Sequence, residues 1–272
     1  MQRVLIAGGT GMLGHVLLER LTPRFETFAT IRGSAEDSRI LGGIDAFDPE
    51  AARRAITTLR PAVVVNCIGV VKQRPEGQDP LVCVPVNALF PHRLAAACDE
   101  VGARLIHIST DCVFSGRRGH YRESDLPDAE DLYGRSKLLG EPGQQHLTLR
   151  TSLLGRELQG TNGLLEWFLA QSGSVRGYTR AMFSGLTTAV FAEVIEDVIL
   201  GHPALRGLYH VAAEPVSKYE LLLLLREAFG KAISIEPDES VVVDRTLDGS
   251  RFRTATGFVA PSWGEMVAGL RI

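Results

Sequence analysis

The chain has 272 residues, of which 45% are hydrophobic and 22% are charged, and its formal net charge is −3. This length suits one doubly wound domain with at most a small additional lobe, and the balance of charge lacks the basic footprint of a nucleic-acid-binding protein. The four cysteines form no C-x-x-C pair and the histidines have no metal-ligand spacing, so neither a metal site nor a disulfide framework is predicted, and the expected location is the cytoplasm.

The first half of the chain alternates apolar strand-like segments with helical ones. Strands are predicted at residues 3–7, 25–30, 62–66, 104–109 and 146–150, and helices at residues 11–21, 49–59, 91–101 and 131–141. The first apolar run is too short for the core of a signal peptide. Alternating strands and helices favour a parallel sheet with crossover helices on both faces. The predicted fold class is α/β, a doubly wound parallel sheet of the Rossmann type.

Beyond residue 152 the alternation loosens. A helix is predicted around residues 164–170, strands at 207–212 and 232–235, and glycine-rich loops at 173–177 and 183–188. The leucine run at 221–225 is bracketed by Glu220 and Arg226 and is far shorter than the ~20 apolar residues of a membrane span, so no membrane insertion is expected. We predict a dinucleotide-binding domain over residues 1–152, completed by elements around 186–213. Residues 153–272 would mainly form a smaller C-terminal substrate-binding lobe.

A glycine-rich segment joins the first predicted strand to the first predicted helix. Its glycines have the spacing G-x-x-G-x-x-G, which lets backbone N–H groups and a helix N-terminus approach a pyrophosphate without a Cβ in the way. An ordinary glycine-rich turn is the alternative, but the position between a strand and a helix favours a dinucleotide site. The predicted cofactor contacts in this segment are Gly8, Thr10, Gly11, Met12, Leu13 and Gly14.

The second predicted strand ends without an acidic residue. NAD-specific enzymes usually place a carboxylate there to hold the ribose 2′-hydroxyl, whereas this chain has Arg32, which could pair with a 2′-phosphate. A solvated surface arginine is the alternative. The favoured cofactor is therefore NADP(H), with NAD(H) second.

Tyr133 and Lys137 lie four residues apart in a predicted helix, so both can face one ligand. A free tyrosine has a pKa of about 10, and a nearby ammonium would lower this pKa and improve proton transfer to a carbonyl. Upstream, Thr110 follows a predicted strand and can hydrogen-bond the same carbonyl. A half-buried tyrosine beside a surface lysine is the alternative, but the glycine loop, strand-end hydroxyl and Y-x-x-x-K occur together and in order.

These motifs resemble those of the extended short-chain dehydrogenase/reductases. The segments STDCVFSG (109–116) and YGRSKLLGE (133–141) are similar to the dTDP-4-dehydrorhamnose reductase family, whose usual pattern is STDYVF-x-G followed by YG-x-[ST]-K-x-x-GE. The resemblance covers most of the chain and is strongest over residues 1–155. It implies that Thr110, Tyr133 and Lys137 are the catalytic residues.

The resemblance also assigns supporting positions. Asn66 in VNCIG matches a strand-end position beside the cofactor, and Asn87 matches an asparagine that often supports the active site. Arg150 lies in LRTS, which resembles the family's LRTSW, and Phe183 begins a segment similar to its G-x-PT substrate loop. A substrate diphosphate also calls for one or two arginines, and the candidates are Arg117, Arg118, Arg156, Arg180, Arg245 and Arg251.

Cys112 and Leu153 depart from the family pattern, which usually has a tyrosine and a tryptophan at these positions. In sugar-nucleotide 4,6-dehydratases a glutamate follows Thr-Asp, so Cys112 argues against dehydration. In epimerase-reductases of the GDP-fucose synthase type, a cysteine two residues after the catalytic hydroxyl is an epimerising base, but their partner histidine is not evident after Arg150. A buried structural cysteine is the favoured interpretation of Cys112.

Three functions stay open on the sequence. The first is the NADPH-dependent reduction of the C4 keto group of a nucleotide-linked 4-keto-6-deoxy sugar, for a precursor of surface polysaccharide. The second is an epimerase or epimerase-reductase acting on such sugars. The third is a non-catalytic dinucleotide-sensing protein, although such proteins typically lose the Tyr–Lys pair. The expected partner is a small nucleotide sugar, and a homodimer is one assembly that such a chain can form.

Overall fold

The computed structural model describes residues 1–271. Its strands are β1 (Arg3–Ala7), β2 (Glu26–Thr30), β3 (Ile40–Leu41), β4 (Val63–Asn66), β5 (Arg104–Thr110), β6 (Leu147–Thr151), β7 (Leu153–Leu154), β8 (Gly173–Tyr178), β9 (Ala181–Phe183), β10 (Leu186–Thr187), β11 (Gly207–His210), β12 (Val216–Ser217), β13 (Ile233–Asp238) and β14 (Val243–Asp244). Its α-helices are α1 (Gly14–Leu21), α2 (Pro49–Leu59), α3 (Pro80–Cys83), α4 (Phe90–Val101), α5 (Leu132–Leu139), α6 (Leu164–Ala170), α7 (Thr188–Leu200), α8 (Lys218–Phe229), α9 (Ser250–Thr256) and α10 (Trp263–Ala268).

Seven parallel strands form the central sheet, in the order β3-β2-β1-β4-β5-β6-β11. The chain winds outward from β1 to β3, crosses to β4, and then winds to the other edge. The predicted doubly wound, Rossmann-type fold is confirmed. Because the winding direction reverses between β1 and β4, a crevice for ligands opens at the carboxyl ends of these strands.

Each face of the sheet has its own apolar core. Val4 and Ile6 point into the core that α1 and α7 cover, whereas Leu5 and Ala7 point into the core that α2 and α4 cover. Successive side chains of a strand point to opposite faces, so the four buried residues of β1 after Arg3 are all apolar. This two-sided burial holds the strand ends, and therefore the site, in fixed positions.

Local sequence signals set several boundaries. Asp48 caps α2 by accepting a hydrogen bond from the Ala51 N–H at 3.1 Å, and the helix spans the predicted residues. Helix α1 begins at Gly14 rather than at residue 11, because the preceding glycine-rich residues form the turn that leads into it. Strand β11 joins the central sheet from beyond residue 152, while the predicted domain boundary itself stays a prediction.

The predicted glycine-rich loop at 173–177 is wrong, because Gly173–Tyr178 is strand β8. It pairs in parallel with β13 over its whole length, and a Cβ at Gly177 would lie only 2.7 Å from the Tyr219 ring. The other predicted loop, 183–188, contains the last residue of β9, strand β10 and the start of α7. In both segments the glycines permit close packing in the C-terminal lobe.

A continuous helical segment, Pro80–Val101, comprises α3, a π-helical turn at Val84–Leu89 and α4. By length and composition it could cross a membrane, but 56% of its most apolar stretch is buried inside the protein, as in a core helix. The absence of membrane insertion stays a prediction. The π-helical turn carries Asn87, and such turns often occur at functional sites.

Candidate active site

The glycine loop closes against the end of β2. The Gly8 N–H donates to the Thr30 hydroxyl at 3.1 Å, and the Gly9 N–H donates to the Thr30 carbonyl at 2.8 Å. Gly8 has φ = +93°, and a Cβ at Gly14 would lie 2.0 Å from the Gly8 carbonyl oxygen. Both glycines are therefore required by the turn and by the packing of α1 on β1.

The exposed part of the same loop fits a pyrophosphate. Thr10 and Gly11 are exposed. The space beside the Gly11 Cα is open, since a Cβ placed there would meet only the Gly8 carbonyl oxygen, at 3.4 Å. No side chain caps the start of α1, although the His15 N–H donates to the Gly11 carbonyl at 3.3 Å and the Leu17 N–H to the Leu13 carbonyl at 3.0 Å. The N-terminus of this helix follows the exposed glycine segment directly, and a helix N-terminus in such a place is suited to an anionic ligand. Met12 and Leu13 complete the turn.

Arg32 lies just past the carboxyl end of β2, next to this loop. Its side chain is exposed, and it takes part in none of the ion pairs formed within residues 1–271. The β2 end therefore presents a cation, as the sequence predicts, where an NAD-specific site would have a carboxylate.

Two buried asparagines fix the loop that follows β4. The Asn66 Oδ1 accepts from the Ile68 N–H at 3.1 Å, and its amide contacts the Nδ1 of His107 at 3.1 Å. Asn87 accepts from the Val70 N–H at 2.8 Å and donates to the Val70 carbonyl at 3.0 Å. Asn66 and Asn87 thus support the crevice, and Asn87 is a positioning residue rather than an exposed substrate contact.

Strand β5 delivers Thr110 to the same edge of the sheet. Thr110 is 6% exposed, and its hydroxyl accepts from the Cys112 N–H at 3.1 Å and donates to the Asp111 carboxylate at 3.2 Å. These bonds begin a short 3₁₀ turn, so Thr110, Asp111 and Cys112 lie together at the carboxyl end of the strand.

Helix α5 brings the Y-x-x-x-K pair onto this turn. Asp131 caps the helix by accepting from the Gly134 N–H at 2.7 Å. A Cβ at Gly134 would lie 2.1 Å from the Cys112 carbonyl oxygen, and a Cβ at Gly140 would lie 1.9 Å from the Asn87 carbonyl oxygen. These two glycines allow the helix to approach closely, which places Tyr133 beside the Thr110 hydroxyl.

The electrostatics of Tyr133 differ from the expectation. Burial raises the pKa of Tyr133, the neighbouring Cys112 side chain and the Asp111 carboxylate raise it further, and a hydrogen bond with Thr110 opposes them. The expected lowering by Lys137 is wrong, because its ammonium donates instead to the Ile108 carbonyl at 2.8 Å. The phenol is therefore protonated at neutral pH, as a proton donor must be, but its surroundings do not make it a stronger acid than a free tyrosine.

Lys137 is buried on the inner face of α5. Burial lowers the pKa of Lys137 to about 8, against the opposing charges of Glu141 and Cys67. Its Nζ lies next to Gly69 in the loop that follows β4, where a Cβ on the glycine would be 3.9 Å away. The predicted trio of Thr110, Tyr133 and Lys137 therefore meets at one edge of the sheet.

Cys112 does not have the character of a base. Burial raises the pKa of the Cys112 thiol to about 12, and the nearby charge of Asp111 raises it as well. A thiol in this state is an inert packing group at neutral pH. The structure thus favours the structural interpretation of Cys112 over an epimerising base.

Arg150 does not reach the crevice, which corrects its assignment as a substrate contact. Its guanidinium is buried and bonds both carboxylate oxygens of Glu141 at 2.7 Å. It also lies 5.3 Å from the Phe114 ring centroid and within 3.4 Å of His210 Nε2. Glu141 in turn accepts from the Ser109 hydroxyl at 2.6 Å, so Arg150 supports the end of β5.

The remaining residues predicted to contact the substrate lie in different parts of the structure. Arg156 is about half exposed and pairs with Glu166 at 2.6 Å, outside the trio. Arg245 donates to the Phe114 carbonyl at 2.8 Å, and its charge acts on Cys112. Phe183 packs 5.4 Å from Trp263, centroid to centroid, in the C-terminal lobe. No group of three or more potential metal ligands occurs in the part of the chain that the structure describes.

Lys218 is a site residue that the sequence motifs missed. It is the first residue of α8, its Nζ lies 3.9 Å from the Phe183 ring centroid, and its charge acts on Asp111 and Cys112. One signal could have revealed it. The capping box of Ser217 and Glu220 marks the helix start, and a lysine in a first turn opposes the helix dipole.

Comparisons with known proteins agree with this architecture. A model of the RmlD substrate binding domain family matches residues 1–268. The dTDP-4-dehydrorhamnose reductase of Streptomyces griseus is 39% identical over 140 residues, which are 51% of this chain and 43% of that protein. The chain therefore matches less than half the length of this curated reductase.

Two further similarities extend over most of the chain. The methionine adenosyltransferase 2 subunit beta of Danio rerio is 30% identical over 247 residues, which are 84% of this chain and 74% of that protein. The solved dTDP-4-dehydrorhamnose reductase of Bacillus anthracis, in complex with NADP, has a TM-score of 0.84 at 23% identity. This match covers 100% of this chain and 99% of that chain, and at this identity it shows the fold.

Proposed function

Because the chain belongs to the RmlD substrate binding domain family, we propose that it is an NADPH-dependent reductase that acts on a keto group of a nucleotide-linked sugar. The observation that carries this proposal is the meeting of Thr110, Tyr133 and Lys137 at the carboxyl edge of the sheet, with the phenol of Tyr133 held protonated. The reductase match and the NADP complex of a fold relative support the same assignment.

The residues of the crevice fit a dinucleotide. The loop from Gly8 to Gly14 would hold the pyrophosphate, Arg32 the 2′-phosphate, and Lys137 the nicotinamide ribose. Asn66 supports the loop beside them. When bound in reduced form, such a cofactor supplies a hydride to an electrophilic carbon.

The side chains of the protein control the carbonyl oxygen and its proton. The Thr110 hydroxyl is placed to hydrogen-bond this oxygen, and Tyr133 is placed to give it a proton as negative charge develops there. Lys137, one turn further along the same helix, would hold the nicotinamide ribose while its ammonium donates to the Ile108 carbonyl. Cys112 takes no proton in this scheme because its thiol is buried.

The finer assignment concerns the sugar. We infer reduction at C4 of a 4-keto-6-deoxyhexose, with rhamnose as the default product and surface polysaccharide as its destination. The family relationship supports this assignment. Cys112 and Leu153 replace the usual aromatic residues, so a sugar with a larger substituent, such as an N-acetyl group, is the first alternative.

Cofactor preference gives one prediction. Arg32→Ala should weaken NADPH binding by about 1.5–3 kcal/mol, the range for hydrogen bonds to charged groups, and should leave NADH binding unchanged. Titrating both cofactors by fluorescence, in the wild type and the variant, checks this. Equal wild-type affinity for the two cofactors, or an unchanged NADPH affinity in the variant, would remove the proposed role of Arg32.

The pH dependence of turnover gives another prediction. Lys137 is charged below its pKa of about 8 and loses its charge as the pH rises through that value. Turnover at saturating substrate should therefore fall above about pH 8, while Tyr133, whose pKa is raised, stays protonated. A kcat profile that stays flat well above this value would contradict the role given to the Lys137 charge.

A second candidate function is that of a non-catalytic subunit. The match to methionine adenosyltransferase 2 subunit beta covers 84% of this chain, whereas the reductase match covers 51%. Against this candidate stands the intact trio, which a subunit without turnover does not need. A subunit would bind a dinucleotide without oxidising it.

The deciding experiment is a screen of dTDP- and UDP-linked 4-keto-6-deoxy sugars with NADPH, with and without a 3,5-epimerase. Absorbance of the reduced cofactor gives the readout, and the Tyr133→Phe variant is the matched control. Oxidation of NADPH that depends on one sugar and on Tyr133 supports the reductase. NADPH binding without oxidation for every sugar would favour the subunit.

A further inference from the structure

An unpaired cation faces the candidate active site from the C-terminal lobe. Lys218 follows β12 and begins α8, and the Phe183 ring lies 3.9 Å from its Nζ. Strand β12 belongs to a small sheet with β9 and β14, and Arg245, directly after β14, donates to the Phe114 carbonyl at 2.8 Å, four residues after Thr110. This packing brings the start of α8 toward the Thr110 turn, where the charge of Asp111 acts on the Lys218 ammonium. Within residues 1–271, no ion pair or hydrogen bond engages this ammonium.

Other charges around the cleft are already engaged. The Lys72 ammonium pairs with Asp131 at 3.1 Å, and Glu220, on the helix of Lys218, accepts from the Ser217 hydroxyl and N–H. Asp111 accepts from the Thr110 hydroxyl. Lys218 therefore differs from its charged neighbours in having no ion-pair or hydrogen-bond partner within residues 1–271, and its ammonium lies over the Phe183 ring.

Its surroundings suit an anionic oxygen. The side chain is partly buried, and burial lowers the pKa of Lys218 to about 8. The ammonium is still charged at neutral pH, but its charge is less well solvated than that of a surface lysine. The N-terminus of the twelve-residue helix α8 adds a positive dipole in the same place. A negatively charged ligand oxygen would pair with the ammonium and interact favourably with the helix dipole.

We propose that Lys218 binds an anionic oxygen of the substrate, on the side of the cleft opposite to Thr110 and Tyr133. The inference rests on the proposed function in taking the substrate to be a nucleotide-linked sugar. Every such ligand carries an anionic oxygen on its diphosphate, and a carboxylate on the sugar, which a 6-deoxy sugar lacks at C6, is the alternative source. Both satisfy the same ammonium, and binding measurements separate them.

The test is calorimetric titration of UDP, dTDP, UDP-glucose and UDP-glucuronic acid into the wild type, Lys218→Met and Lys218→Arg. Arg226→Met removes a positive charge from the far end of the same helix and is the matched control. If the diphosphate is the source, Lys218→Met weakens UDP or dTDP binding by about 10- to 100-fold. If a carboxylate is the source, diphosphate binding is unchanged and the preference for UDP-glucuronic acid over UDP-glucose disappears.

The conservative variant and the stability of the protein give independent readouts. Lys218→Arg keeps the charge and should keep most of the affinity. Lys218→Met should melt no lower than the wild type, because it removes an unpaired charge and keeps an aliphatic stem against Phe183. A lower melting temperature with unchanged ligand affinity would make Lys218 structural and overturn the proposal.

Two other results would also overturn it. One is unaltered affinity for all four ligands in Lys218→Met, and the other is no binding of any of them by the wild type. Failure of every keto sugar to be reduced would instead count against the proposed function. That failure would leave these binding results standing, because none of the four ligands is a substrate for reduction.

Discussion

Replacing Tyr133 with phenylalanine should lower turnover by about 10²–10⁴-fold, the usual contribution of a positioned general acid. The ring stays, so folding and cofactor affinity should be close to those of the wild type. The loss should be specific to the proton, because the phenol lies beside the Thr110 hydroxyl and phenylalanine keeps the ring.

The measurement is the rate of NADPH oxidation with the best sugar from the screen, together with NADPH affinity and melting temperature. Tyr209→Phe is the control, because Tyr209 packs on Phe252 at the β11 edge of the sheet. Turnover of Tyr133→Phe within a few-fold of the wild type would remove the proton-donor role.

Replacing Arg150 with methionine should lower the free energy of unfolding by about 3–5 kcal/mol, the range for breaking a buried ion pair. The variant leaves the Glu141 carboxylate unpaired, with only the Ser109 hydroxyl bonded to it, beneath the end of β5. Because Arg150 does not face the crevice, KM for the sugar should change little in the fraction that stays folded.

Urea unfolding checks the stability change, and Arg156→Met is the matched control. Arg156 is about half exposed in its pair with Glu166, so its loss should cost less stability than the loss of the fully buried Arg150. If Arg150→Met unfolds at wild-type urea concentrations but raises KM strongly, the original assignment of Arg150 to the substrate would be restored.

The parts of the fold that sequence predicts well carry their own local signals. Helix α2 has its Asp48 cap, and β4 is a run of valines closed by Asn66. Strand β8 carries no such signal, since glycines stand at two of its six positions and it pairs along its whole length with the distant β13. Its stability comes from a contact that no local pattern contains.

The candidate site likewise contains residues that the sequence indicates and residues that only the structure shows. Thr110, Tyr133 and Lys137 follow from motif spacing, because one strand end and one helix face position them. Arg150 is a cation in a segment that resembles a family motif, which suggested a ligand contact. Only the structure shows that its guanidinium is paired with Glu141. Lys218 comes to the cleft through the packing of the C-terminal lobe on the sheet, which the sequence pattern does not specify.

The most direct test of the account is to follow a label from the cofactor. NADPH deuterated at the transferable position of the nicotinamide is incubated with the protein and a 4-keto-6-deoxy sugar nucleotide, and the product is examined by mass spectrometry and NMR. The account predicts a reduced sugar with deuterium on the former carbonyl carbon, and none with Tyr133→Phe. An isomer of unchanged mass, or bound cofactor with no product from any sugar, would contradict it.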